Sequence, residues 1–118
     1  MDLEWKLLTK EEIEALKGQE LPLISPKEEV SIVYRAYLEE RVYVLAFSGN
    51  ESVEGKSETF LLGMRVVNNG IVTSSISPRK CGEKEINCIN STLMKYDINY
   101  QAIIDSLKEF EKNLINNN

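Results

Sequence analysis

Cys81 and Cys88 are the most chemically versatile side chains in the sequence, because a thiolate serves as nucleophile, redox partner and soft metal ligand. Seven residues apart on one helix, they would share a side yet lie about 10 Å from each other, beyond disulfide reach; in a loop they could meet. Two thiolates alone do not close a tetrahedral zinc site, so a metal would require a second copy of the chain or a partner. Ordinary reduced thiols are the plainer reading, and the two stand as reactive-thiol candidates with no cofactor expected.

Arg79 and Lys80 with Lys84 form the second constellation, at a sheet exit beside the start of a possible helix, where free amides and positive charge could hold a phosphate or a nucleotide. Arg35 and Arg65 would join them only if their strands present both on that side. No glycine-rich phosphate loop accompanies the group, so a solvated charge run is the competing reading. Glu51, Glu54 and Glu58 match no calcium loop. Ser74, Ser75 and Ser77 lie near a strand end, but with no His in the chain they lack the commonest activating base. Non-enzymatic action is the expectation, with no catalytic residue and no metal site assigned.

Core packing is the default for most of the aromatic residues. Arg35 and Tyr37 are the exception: on a strand they would share an outward face, and Arg and Tyr anchor protein interfaces more often than Lys or Glu. They are the candidate partner-binding pair.

The elements that must position these residues are legible in order. Thr9 followed by Glu12 forms a capping box, Leu8 can staple onto Ile13, and Lys17-Gly18 closes a short helix. Leu3, Trp5 and Leu7 alternate before it as a short edge strand. Over 26–40 two periodicities compete. Ser25-Pro26-Lys27-Glu28 has the form of a helix start, whereas Val30, Ile32, Tyr34, Ala36 and Leu38 alternate strictly and are rich in β-branched and aromatic types, which favours a strand. Glu39-Glu40 reads as a turn, and Val42 to Phe47, apolar on both faces, as a central strand. Gly49 to Thr59 reads as a long polar loop.

A hairpin over Phe60 to Ser77 closes at Asn68-Asn69-Gly70. A three-residue loop with Gly70 as its left-handed residue would turn Leu62, Met64, Val66, Val72 and Ile76 to one inner face. Pro78 ends the sheet. Glu83 to Lys95 is a weaker helix, and Asp97 or Asn99 caps a clearer one that carries Tyr100, Ile103, Ile104, Leu107, Phe110 and Leu114.

The fold class that follows is α+β: a short N-terminal helix, an antiparallel meander of about four strands, and one or two C-terminal helices packed on the sheet. Residues 1–115 form a single domain and 116–118 a disordered Asn tail. Val33, Tyr37, Tyr43, Leu45 and Phe47 make the sheet's other face partly apolar, so a second helix or another subunit should cover it, and a homodimer is expected.

Composition bounds the rest. A chain that is 42% hydrophobic and 28% charged is an ordinary globular one, and its net charge of −5 disfavours broad binding to a nucleic-acid backbone. No apolar run approaches the ~20 residues of a bilayer span, and the acidic start lacks the form of a secretory signal, so the expected location is the cytoplasm without membrane contact. The richness in Ile, Asn, Lys and Glu suggests an AT-rich bacterial or phage genome. A small intracellular binding protein of the inhibitor, immunity or adaptor type is the first functional expectation. A small module for an anionic metabolite or nucleotide, held at a subunit interface, is the second.

Overall fold

The computed structural model describes residues 3–17, 30–53, 56–76 and 82–116. Five strands, β1 (Trp5–Leu7), β2 (Val30–Glu39), β3 (Val42–Val53), β4 (Lys56–Asn68) and β5 (Ile71–Ile76), pair antiparallel in chain order. The helices are α1 (Lys10–Lys17), α2 (Glu83–Leu93) and α3 (Tyr100–Asn116), with a 3₁₀ turn, Met94–Tyr96, between the last two. The architecture is α+β, with one strand more than the expected meander of about four. That strand is β1, the alternating Trp5 stretch, placed on the edge beside β2. From Val30 onward the disputed segment is strand, as its β-branched density requires; residues 26–29 lie outside the described residues.

The first sheet face carries the larger core. Tyr34, Ala36, Val44, Met64 and Val66 meet Ile89 and Leu93 of α2 and Ile103 and Leu107 of α3, all buried. The Tyr34 and Phe110 rings meet edge-on with centroids 5.7 Å apart. Trp5 Nε1 donates to Ser106 Oγ at 3.0 Å, tying the edge strand to α3. Asn99 is the cap of α3, its Oδ1 accepting from the Ala102 amide at 2.8 Å. The other capping candidate, Asp97, adopts a left-handed φ of 57° after the 3₁₀ turn. α3 also runs through Asn116, which the sequence assigned to the tail; Asn117 and Asn118 lie outside the described residues.

The second face is smaller and belongs to α1. Thr9 and Glu12 close the capping box, with the Glu12 amide donating to Thr9 Oγ1 at 3.2 Å and the Thr9 amide donating to Glu12 Oε1 at 3.0 Å. Leu8 and Ile13 flank that box and pack with Val33, Leu45, Phe47 and Val67. The N-terminal helix is therefore an element that covers the apolar second face.

Three local expectations are corrected. Asn69 (φ 52°) and Gly70 (φ 78°) both take positive φ, and Asn68 pairs with Ile71, so the hairpin closes on a two-residue loop. The sequence favoured three residues because two would misalign the apolar rows. The chain restores alignment with a bulge: Val67 pairs with Val72, Thr73 is extra, and Val66 and Met64 then face Ser74 and Ile76. Thr73 Oγ1 secures the bulge by donating to the Val66 carbonyl at 3.1 Å. Met64, Val66 and Ile76 keep the expected inner face, but Val72 turns to the second one, and the side chain of Leu62 lies outside the described residues.

The supposed loop over 49–59 is largely strand, since β3 and β4 stay paired through Val53 and Lys56 with only Glu54-Gly55 between them. The polar residues of 49–53 and 56–59 continue the ladder, and Glu54 and Gly55 lie outside the described residues. The β2–β3 turn sits at Glu40-Arg41, one residue later than expected, because an irregularity between Tyr37 and Glu39 shifts the register.

Candidate functional site

Strand register assembles the second face in rows. One row runs Lys6, Arg35, Leu45, Arg65, Ser75 across all five strands; the next runs Tyr37, Tyr43, Val67, Val72. Arg35 and Arg65 thus share a face, separated by the fully buried Leu45.

Arg35 is the hub of the exposed part. Its guanidinium carbon lies 5.1 Å from the Tyr37 ring centroid and 5.8 Å from that of Tyr43, and the two rings stand 5.3 Å apart, tilted by 58°. A nitrogen of the same group lies 3.8 Å from Glu12 Oε2, the oxygen that also accepts from Lys6 Nζ at 3.1 Å. Arg35 Nε is buried and has no hydrogen-bond partner among the described residues. The guanidinium thus sits between two rings and a carboxylate, and Tyr37 beside it is 50% exposed.

Glu12 is held well below the ordinary carboxylate value of 4.5, at about 2, chiefly by the Thr9 backbone bond and then by Lys6. It stays ionised at any ordinary pH, with its charge 3.8 Å from an Arg35 guanidinium nitrogen. Deeper in the face, Arg65 is buried with its guanidinium carbon 5.1 Å from the Phe47 ring centroid, and desolvation pulls its pKa down. Gly63 makes that stacking possible, since a Cβ there would come within 2.7 Å of Phe47 Cζ and 3.1 Å of the Ile76 carbonyl oxygen.

Of the sequence candidates, Arg35 and Tyr37 are brought together. Lys84 is exposed in the first turn of α2, which packs on the first face, so it stands across the sheet from Arg35 and Arg65. Arg79, Lys80 and Cys81 lie outside the described residues, and Cys88 is an exposed free thiol on α2. Glu51 and Glu58 are Cα partners in the β3–β4 ladder, and Glu54 lies outside the described residues. Ser74 is buried and its hydroxyl has no partner among the described residues, Ser75 is exposed, and Ser77 lies outside the described residues. Among the described residues no group of three or more Cys, Asp or Glu side chains is placed to hold a metal, and no helix is long and apolar enough to cross a membrane.

Sequence reasoning missed two contributors. Tyr43 was assigned to the second face, but its position directly opposite Tyr37 depends on the shifted β2–β3 register. Glu12 was seen only as a capping residue; its i, i+6 relation to Lys6 and its reach to Arg35 exist only once α1 folds back over β1 and β2.

Comparison of the chain with protein-family models, with curated proteins and with solved structures finds no match.

Proposed function

We propose that this chain is a non-enzymatic binding protein of the inhibitor, immunity or adaptor type, acting by contact with another protein through Arg35, Tyr37 and Tyr43. The observation that carries this reading is the half-exposed Tyr37 beside a guanidinium already clamped in position. Interface hot spots are enriched in Tyr and Arg, and their strength grows when the side chains lose little freedom on binding. Here Tyr43 and Glu12 restrain Arg35 before any partner arrives, so the ordering cost is small. A cytoplasmic setting in a bacterium or phage-infected cell accompanies this reading.

The second reading, an anionic-ligand module at Arg79, Lys80 and Lys84, gains nothing from Arg35 and Arg65, because Lys84 stands on the opposite side of the sheet from both, and Arg79 and Lys80 lie outside the described residues. The test is capture of a protein partner from cells carrying the intact gene neighbourhood, using the wild-type chain and the double variant Arg35→Ala, Tyr37→Ala as baits. Retention by the wild type and loss by a folded variant support the proposal. Equal retention by both overturns it.

A further inference from the structure

Asn69-Gly70 is the one Asn-Gly step in the sequence, and it makes up the whole of the two-residue β4–β5 loop. Asparagine is chemically labile because its side-chain carbon can be attacked by the backbone nitrogen of the next residue. The bonding of that nitrogen therefore decides which asparagine reacts. The Asn69 nitrogen, which follows Asn68, donates to the Arg41 carbonyl at 3.0 Å. The Tyr100 nitrogen, which follows Asn99, donates to Asn90 Oδ1 at 2.7 Å. Asn87, Asn90 and Asn113 lie inside α2 and α3, where the next nitrogen belongs to the helical ladder, and Asn50 pairs with Thr59 in the β3–β4 ladder. The Gly70 nitrogen differs. The Asn68–Ile71 pair closes the loop without it, and it has no hydrogen-bond acceptor among the described residues. Both loop residues are exposed, and a Cβ at Gly70 would meet nothing within 4 Å, so the loop has room to turn this nitrogen toward the side chain.

We propose that Asn69 is a site of spontaneous modification by water. The Gly70 nitrogen gives its proton to water or hydroxide and bonds to Asn69 Cγ; the Cγ–Nδ2 bond breaks, and ammonia leaves with a proton from solvent. A five-membered succinimide remains. Water then opens the ring, at Cγ to give aspartate or at the main-chain carbonyl carbon to give isoaspartate, whose backbone runs through Cβ. Each conversion consumes one water and releases one ammonia. The fold treats the two products differently. Asn69 sits at φ 52°, a left-handed conformation that aspartate also accepts, so the aspartate form keeps the hairpin. Isoaspartate instead adds one backbone atom to a loop that Asn68 and Ile71 close with two residues, beside the Asn69–Arg41 bond that ties it to the β2–β3 turn. That form loosens β5 from β4. The modification is independent of the Arg35 and Tyr37 surface.

The test incubates the full chain in mildly alkaline buffer, folded and in urea, and follows it by peptide mapping that separates aspartate from isoaspartate. In the folded chain Asn69 is expected to convert at least tenfold faster than Asn68, Asn90 or Asn99. Unfolding is expected to speed Asn90 at least tenfold more than it speeds Asn69, because it frees the helical Ser91 nitrogen, whereas the Gly70 nitrogen is free already. A folded chain that keeps Asn69 intact while the unfolded chain converts there overturns the proposal, as does another asparagine that reacts first. The isolated isoaspartate form is expected to melt at a lower temperature than the wild type, and Asn69→Asp at the same temperature as the wild type. An isoaspartate form as stable as the wild type, or Asn69→Asp as unstable as the isoaspartate form, overturns the assignment of the two products.

Discussion

The guanidinium of Arg35 lies 5.1 Å from the ring centroid of Tyr37, two residues along the same strand, so that neither side chain is positioned by the other alone. Tyr43 from the next strand and Glu12 from α1 complete the clamp. The proposed contact surface would thereby lie on the sheet rather than on a loop, on the more rigid part of the fold.

Glu12 links that surface to pH. Its folded pKa of about 2 is below the ordinary 4.5, so between those values the unfolded chain holds a proton that the folded chain does not. The contribution of Glu12 to stability is therefore complete above about pH 4.5 and is lost as pH falls toward 2. Melting temperatures of the wild type and Glu12→Gln are expected to differ at pH 7 and to converge across that window.

The second face is a core in its own right. Leu45 is fully buried there beneath α1, and Leu45→Ala is expected to cost about 2–5 kcal/mol, as for other buried leucines. Urea denaturation measures it; a loss under about 1 kcal/mol would mean that α1 does not seal this face.

Gly63 tests the packing under Arg65. Gly63→Ala presses on both the Phe47 ring and the Ile76 carbonyl, so a destabilisation of about 1–3 kcal/mol is expected. Combining it with Phe47→Leu should recover part of that loss, a non-additivity that a double-mutant cycle reads directly.

The β4–β5 turn depends on backbone conformation rather than space. A Cβ at Gly70 meets nothing within 4 Å, but the residue sits at φ 78°, so Gly70→Ala is expected to cost about 1–2 kcal/mol in the same denaturation assay.

How far the sequence led depended on the range of the interaction. Thr9 with Glu12, the Leu8–Ile13 staple and the alternation of β2 are signals within a few residues, and each appears in the structure at the expected place, while of the two cap candidates Asp97 and Asn99 the structure uses Asn99. What failed was register. The choice between a three-residue loop and a two-residue loop with a bulge turns on how Thr73 reaches the Val66 carbonyl, a cross-strand bond that no local pattern encodes. The same holds for Glu40-Arg41, where the shift near Leu38 sets Tyr43 against Tyr37. Polarity misled over 49–59, because the residues that pair there in β3 and β4 are mostly polar and carry no alternating apolar pattern. For the site, Arg35 and Tyr37 were readable from residue type and parity, whereas Glu12 enters through tertiary folding alone.

Titration calorimetry with the captured partner, comparing the wild-type chain with the folded Arg35→Ala, Tyr37→Ala variant at one salt concentration, bears most directly on the mode of action. Loss of both anchors is expected to weaken the complex at least ~30-fold, about 2 kcal/mol or more. An affinity unchanged within threefold would place the contact elsewhere on the molecule and contradict the role given to this clamped pair.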